Sequence, residues 1–161
     1  MIVGIDPGFG GAIALLNPTT RSLEIHDMPI LPGKQGKTIL DYHELAVALL
    51  PKETGWHVAM LEQVSAMPGQ GVSSMFRFGQ NFGALQMAVH GHGYEVHYAT
   101  PASWKKHFRL SRDKGVSRGL AKERFPDVAS LFSRVKDDGR AEAALLALYA
   151  LETLPQFMKG N

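Results

Sequence analysis

Four carboxylates stand at positions where they could act together on a metal ion. Asp6 follows the apolar residues of a short strand pattern, and Glu62 ends a second one, "WHVAMLE". Ligand crevices form at the ends of strands in an α/β sheet, so neighbouring strands would place these two side chains together. Asp138 and Glu142 are four residues apart and share one helix face. A cation between them would reverse the repulsion of two like charges at that spacing.

A set of four carboxylates favours divalent cations. The chain has no cysteine, which excludes a thiolate nucleophile and a cysteine-based zinc site. Oxygen ligands favour Mg²⁺ or Mn²⁺ over zinc. Two such ions about 4 Å apart can activate water and stabilise the leaving oxygen of a phosphodiester. The carboxylates therefore indicate phosphodiester hydrolysis assisted by metal ions.

The same carboxylates have structural interpretations. Asp6 begins an Asp-Pro-Gly sequence, which is common in turns. Asp138 lies at a predicted helix N-terminus, where acidic side chains are favoured, and Asp137 could equally serve as the cap. These interpretations remain open on the residues alone.

The predicted elements that would position these residues alternate between strands and helices. Apolar segments predict strands at 1–7, 11–17, 22–28, 56–62 and 94–99. Helices are predicted at 41–50, with Asp41 as N-cap, at 74–90, from Thr100-Pro101, at 114–125 and at 138–153. The segment "ILPGKQGKT" is interpreted as a polar loop. A strand meander followed by alternating helices and strands indicates an α/β fold with a mixed sheet.

Charge is distributed unevenly along the 161 residues. Residues 1–76 contain four Lys/Arg and seven Asp/Glu, whereas residues 77–161 contain thirteen and eight, so the halves carry −3 and +5. A basic half favours a polyanionic partner, although a solvated helix face is the alternative. Phosphate contacts are predicted for Lys105, Lys106, Arg109, Lys114 and Arg118.

Some classes of protein are disfavoured. No apolar run reaches the roughly 18 residues of a membrane span. The start has a strand pattern instead of the basic and apolar regions of a signal peptide. A cytoplasmic protein that does not bind membranes is therefore expected.

Taken together, the motifs resemble those of the RuvC-type Holliday junction resolvases of bacteria and their phages, which have the RNase H-like fold. The opening "GIDPGFGG" is similar to the first motif of that family. "LEQVSAMPGQGVSSMFRFGQNFG" is similar to the second motif, and "DDGRAEAALLALYAL" is similar to the final acidic helix. The resemblance covers nearly the whole chain.

The resemblance implies a single RuvC-like nuclease domain over residues 1–161, with a mixed five-stranded sheet flanked by helices. It implies that Asp6, Glu62, Asp138 and Glu142 are catalytic and hold two Mg²⁺ ions, for which Mn²⁺ would substitute. The implied activity is paired cleavage of four-way DNA junctions by a cytoplasmic homodimer of bacterial or phage origin. Branched DNA is the implied partner, no nucleotide cofactor is expected, and the helix with "FGQNFG" would carry the dimer contact.

The chain departs from the family pattern in its final motif. The best-known bacterial members have His-x-x-Asp-Ala there. In this chain Glu142 takes the place of that aspartate and Gly139 stands three residues before it. Asp138, one residue further back, must then serve as the remaining ligand.

A second departure concerns contact with the junction centre. The bacterial enzymes have an aromatic residue directly after Glu-Gln-Val, where this chain has Ser65. Met67 and Phe76 are the large apolar side chains that could replace it. Phe76, Phe78 and Phe82 also fall near one predicted helix, where core or dimer packing is the alternative to base stacking.

Two other functions fit part of the sequence. "GIDPGFGG" is also similar to the first phosphate loop of actin/hexokinase-like nucleotide-binding modules. Those proteins need two such domains and a second glycine-rich loop, which this chain lacks. A catalytically silent DNA-binding regulator is the other alternative, and the presence of all four carboxylates argues against it.

Overall fold

A computed structural model of the protein describes residues 1–52, 54–65, 69, 71–111 and 114–158. The strands within these residues are β1 (Ile2–Asp6), β2 (Ala12–Leu16), β3 (Leu23–Asp27), β4 (Ile30–Pro32), β5 (Thr38–Leu40), β6 (Val58–Glu62) and β7 (Glu95–Ala99). The helices are α1 (Tyr42–Ala48), α2 (Val72–Gly91), α3 (Pro101–His107), α4 (Lys114–Arg124), α5 (Asp138–Thr153) and α6 (Pro155–Met158).

A mixed sheet of five strands, in the order β3-β2-β1-β6-β7, lies at the centre of the described structure. Strands β1, β2 and β3 pair antiparallel, whereas β1, β6 and β7 run parallel. The register places Asp6 opposite Ala12 and pairs Ile5 with Leu61, the residue before Glu62. Asp6 and Glu62 therefore lie at the same edge of the sheet, on adjacent strands. The predicted mixed sheet is confirmed.

The two faces of the sheet pack against different helices. Successive side chains of a strand point to opposite faces, so Ile2 joins the core around α5 whereas Val3 and Ile5 join the core under α1 and α2. Trp104 of α3 and Phe132 belong to the α5 side. The sheet is thus covered on both faces, as is usual for strands that are apolar throughout.

Helix α5 lies directly on β1 because residue 4 is glycine. A Cβ atom at Gly4 would stand 2.2 Å from the Ala143 carbonyl oxygen and 2.4 Å from the Ala147 nitrogen. Only a residue without a side chain allows this approach. The helix is buried on nearly every side from Ala141 to Leu148, as expected for a central helix.

The predicted strands of the main sheet and the predicted helices are confirmed to within a few residues. Asp41 caps α1 by accepting hydrogen bonds from His43 N and Glu44 N, both at 3.1 Å. Thr100 caps α3 through Ser103 N at 3.1 Å. None of the described helices combines the length and the apolar character needed to cross a membrane.

The segment interpreted as a polar loop contains two short strands instead. β4 and β5 pair antiparallel, with Ile30 opposite Leu40 and Leu31 opposite Ile39, around a 3₁₀ turn at Lys34–Gly36. Each strand has three residues, which is too short for an alternating pattern to stand out among the glycines and prolines.

Candidate active site

Asp6 ends β1 and enters a tight glycine loop. Its Oδ1 accepts a hydrogen bond from Gly8 N at 3.2 Å. A Cβ atom at Gly11 would stand 2.2 Å from the Asp6 carbonyl oxygen, so the chain can turn this sharply only with glycine there. Asp6 therefore stabilises the turn that the Asp-Pro-Gly sequence predicts, and its carboxylate lies at the carboxyl end of β1.

Glu62 lies one strand away and is held by a tryptophan. Its side chain is almost inaccessible, with 7% of the residue exposed, and Oε1 accepts a hydrogen bond from Trp104 Nε1 at 3.0 Å. Trp104 is itself fully buried. A buried indole N–H usually finds an acceptor, so a buried Trp104 is suited to hold a carboxylate as well as to pack in the core.

Close backbone contact brings the acidic end of α5 to the loop after Asp6. A Cβ atom at Gly139 would stand 2.2 Å from the Gly10 carbonyl oxygen and 2.7 Å from Gly11 Cα. No other residue fits this position without moving the loop or the helix. The contact gives a physical reason for glycine at position 139.

The two carboxylates of α5 are paired with cations. Lys105 Nζ donates a hydrogen bond to Glu142 Oε1 at 3.0 Å. Arg118 Nε lies 2.9 Å from Asp138 Oδ1, close enough for an ion pair but not aligned as a hydrogen bond. Lys105 follows Trp104 in the chain, so consecutive residues of α3 contact Glu142 and Glu62. The charge pattern predicts phosphate contacts for Lys105 and Arg118, and it does not reveal these ion pairs.

These contacts place the four predicted carboxylates around one edge of the sheet. Among the described residues, no three His, Asp or Glu side chains lie close enough together to hold a metal ion. The chemistry of the donor set nonetheless fits hard divalent cations, since all four residues are carboxylates. Glu142 and Asp138 also each balance a side-chain cation, so their positions already favour positive charge.

Asp137 has a different environment from Asp138. It is 1% exposed and accepts hydrogen bonds from Arg134 N at 2.7 Å and Arg134 Nη2 at 2.8 Å. The side-chain hydrogen bonds from Arg134 hold the pKa of Asp137 below its usual value. In the same way, hydrogen bonds from Arg140 lower the pKa of Asp27 at the end of β3. This network joins the start of α5 to the sheet.

The remaining basic residues predicted to contact DNA are Lys106 and Arg109, which follow Lys105 in the chain, and Lys114. Lys106 and Arg109 are exposed, and Lys105 and Lys106 line an open groove of about 450 Å³ with Pro101, Ala102, Leu110 and Ser111. Lys114 opens α4, and its side chain lies outside what the structure describes.

The two side chains predicted to contact the junction centre, Phe76 and Met67, differ in whether the structure describes them. Phe76 is 66% exposed on α2, where it is free to meet a partner. Met67 lies outside the described residues. Phe78 stacks on Phe82 with ring centroids 6.5 Å apart. An open cavity of about 390 Å³, which the sequence did not reveal, is lined by Phe9, Gly71, Ser74, Arg77 and Phe78.

Comparison with known proteins gives structural likeness at low sequence identity. No family model and no curated protein matches the chain. A structure described as T. thermophilus RuvC in complex with Holliday junction substrate matches with a TM-score of 0.53 and 15% identity, over 92% of this chain and 90% of that one. A second Thermus thermophilus RuvC structure matches with a TM-score of 0.53 and 13% identity, over 94% and 95%.

The likeness extends over nearly the full length of both chains, so it includes the mixed sheet and the helices on both of its faces. The fold expected from the motifs is confirmed: this chain has the RNase H-like fold of the RuvC structures.

Proposed function

We propose that this protein is a metal-dependent endonuclease that resolves four-way DNA junctions. The observation that carries the proposal is the contact of Gly139 with Gly10 and Gly11, which brings the acidic end of α5 to the loop after Asp6. A chain with the fold of RuvC thus has carboxylates from β1, β6 and α5 at one edge. The RuvC of the first comparison was solved with a Holliday junction, which makes branched DNA the first substrate to test.

In the proposed mechanism, Asp6, Glu62, Asp138 and Glu142 would hold the metal. Divalent cations, when bound, supply activation of water and stabilisation of the leaving 3′-oxygen. Trp104 keeps the Glu62 carboxylate in one orientation through its hydrogen bond. Without metal, Lys105 and Arg118 neutralise Glu142 and Asp138. If a divalent cation took their place, both side chains would be available to contact phosphates of the DNA.

The basic surface of α3 and α4 orients the substrate. Lys106 and Arg109 are exposed, and Lys106 lines the groove with Lys105, so both are assigned to phosphates of the bound DNA. Lys114, the first residue of α4, is proposed as a further phosphate contact. Phosphate contacts of this kind position the DNA without reading its sequence. Phe76 or Met67 then contacts bases at the junction centre.

The proposed functional unit is a homodimer formed through α2. A four-way junction has near two-fold symmetry and needs two paired cuts, which two sites related by a two-fold axis would supply. Val72, Phe76 and Met87 are exposed apolar residues of this helix. Cβ atoms added at Gly79 or Gly83 would meet nothing within 4 Å, so there is room for a second backbone to approach.

A catalytically silent DNA-binding protein is the second candidate. The ion pairs of Lys105 and Arg118 favour it, because they satisfy two of the carboxylates without metal.

One assay separates the two candidates. The protein is incubated with Mg²⁺ and a synthetic four-way junction, beside a linear duplex of the same sequence. A resolvase cuts the junction at paired positions and leaves the duplex intact. Binding of the junction without any cut, in Mg²⁺ and in Mn²⁺, would support the silent protein and refute the endonuclease.

A further inference from the structure

The β4–β5 hairpin is a separate two-stranded ribbon. Among the described residues, β4 and β5 pair with each other and not with the main sheet. Ile30, Leu31 and Ile39 are between 44% and 47% exposed, whereas Leu40 at the base is buried. An isolated two-stranded hairpin is only marginally stable in water. A ribbon with this much exposed apolar surface would gain stability from a partner.

The ribbon rises from the edge of the sheet that carries the candidate active site. Asp6 lies opposite Ala12, and Ala12 lies opposite Asp27, the last residue of β3. Two strand spacings separate Asp27 from Asp6, which is about 10 Å. At the base of the ribbon, Met28 N donates to Gly11 O at 3.0 Å, within the glycine loop that follows Asp6. Asp41 N donates to Pro29 O at 2.9 Å and closes the base.

The charge of the ribbon is entirely positive. Residues 28–40 contain Lys34 and Lys37 and no acidic residue. Both lysines are exposed at the turn, where the 3₁₀ segment and a hydrogen bond from Gly33 N to Lys37 O at 2.6 Å shape the tip. The five residues from Ile30 to the tip span roughly 17 Å when extended, about half a turn of B-form DNA.

We propose that this ribbon is a DNA-binding arm that contacts the duplex beside the scissile phosphate. The inference rests on the proposed function and adds a contact outside the basic surface of α3 and α4. Lys34 and Lys37 bind backbone phosphates, and the apolar side chains of Leu31 and Ile39, which pair across the ribbon on one face, lie against sugars or base edges. The major groove of B-form DNA admits a two-stranded ribbon of this kind.

The observations favour DNA over a second copy of this chain as the occupant. Two like ribbons brought together would place four lysines near one another with no acidic residue of either ribbon between them. DNA supplies the opposite charge, and the proposed site would already hold it within about 10 Å of the ribbon base.

The test compares the salt dependence of junction binding, measured in Ca²⁺ to prevent cutting. The variant Lys34→Gln/Lys37→Gln removes two cations from the tip. The control Arg21→Gln/Lys52→Gln removes two exposed cations from the opposite edge of the sheet, where Lys52 pairs with Glu24. If each ribbon lysine contacts one phosphate, the log–log slope falls in magnitude by about 1.8, at roughly 0.9 per contact. The control keeps the wild-type slope.

Two results would overturn the proposal: a ribbon variant with the wild-type slope, or an equal fall in the slopes of ribbon variant and control. A change of oligomeric state without a change of slope would assign the ribbon to a second copy instead. The same titration on linear duplex separates this inference from the proposed function. If the wild-type protein binds duplex and junction equally well, the proposed resolvase function is contradicted. The effect of the ribbon variant on the salt dependence of DNA binding can still be measured in that case. A protein that binds neither DNA refutes both.

Discussion

At the scale of single residues, Lys105 connects the proposed metal site to the proposed DNA-binding surface. Its ammonium binds Glu142, so it competes with any divalent cation for that carboxylate. We expect Lys105→Met to raise the affinity for Mn²⁺ by roughly two- to fivefold, which corresponds to the worth of a partly exposed ion pair. The same change should weaken junction binding, because a cation near the phosphates is lost.

Electron paramagnetic resonance measures the affinity for Mn²⁺ in the protein without DNA. Lys106→Met is the matched control, since Lys106 is the adjacent exposed lysine. Unchanged Mn²⁺ affinity in Lys105→Met would show that Glu142 does not ligate metal or that the ion pair does not form in solution.

Changing Asp138 to asparagine should lower cleavage, whereas the same change at the adjacent Asp137 should lower stability. Asp138→Asn should lower cleavage by orders of magnitude, as should Asp6→Asn, with little effect on folding, since metal ions supply the charge stabilisation. Glu123→Gln, an exposed change on α4, is the control for charge. Cleavage at the wild-type rate by Asp6→Asn would refute the assigned site.

Asp137→Asn should lower the free energy of unfolding by about 1–3 kcal/mol, because it removes hydrogen bonds from a buried carboxylate. The pKa of Asp137 is lowered in the folded state, so its contribution is present at neutral pH and is lost as pH falls through that lowered pKa. The melting temperatures of wild type and variant should therefore differ most near pH 7 and converge below about pH 4. A constant difference across that range would contradict the ion pair with Arg134.

At the scale of elements, Gly139 controls where α5 sits. Gly139→Ala places a methyl group against the Gly10 carbonyl and should move the acidic end of the helix away from Asp6. Overpacking of this kind costs about 1–3 kcal/mol. Cleavage should fall more than junction binding, since the phosphate contacts are elsewhere.

Gly119→Ala is the matched control, because a Cβ atom there meets nothing within 4 Å. That change should leave cleavage intact and slightly stabilise α4, since alanine is the better helix former. Equal activity of the two variants would mean that the loop adapts, and that the contact does not set the geometry of the site.

The sequence predicts elements well where one pattern dominates. The strands of the main sheet are continuous apolar segments, and Asp41 and Thr100 cap helices with side chains suited to that role. The ribbon was missed because its strands have three residues each. The 3₁₀ segment at Pro126–Phe132 was missed because its buried phenylalanine packs against elements distant in sequence. The contacts of Trp104 with Glu62 and of Lys105 with Glu142 also depend on tertiary packing, so the sequence does not predict them.

At the scale of the whole molecule, the exposed stripe of α2 predicts a dimer. Met87 is 69% exposed and lies on the same side of the helix as Phe76 and Gly83. Met87→Glu introduces a charge into the proposed interface and should convert a dimer into a monomer at micromolar protein. The variant should then lose coordinated cutting of the two strands while keeping its fold.

Sedimentation velocity measures the assembly, and circular dichroism checks the fold. Tyr42→Glu on α1, another exposed site at 59%, is the control. A wild-type monomer that still makes paired cuts would refute the dimer.

The absence of a side chain at Gly4 has a consequence for local opening. The backbone of α5 lies against β1 with no side chain between them, so neither element can separate without exposing the core around it. Amide protons of β1 and of the buried part of α5 should therefore exchange with solvent only through global unfolding. Those of β4 and β5 should exchange through local opening, at rates that do not follow the stability of the whole protein. Strand β1 and helix α5, which position the carboxylates, would then unfold in a different cooperative unit from the ribbon beside them.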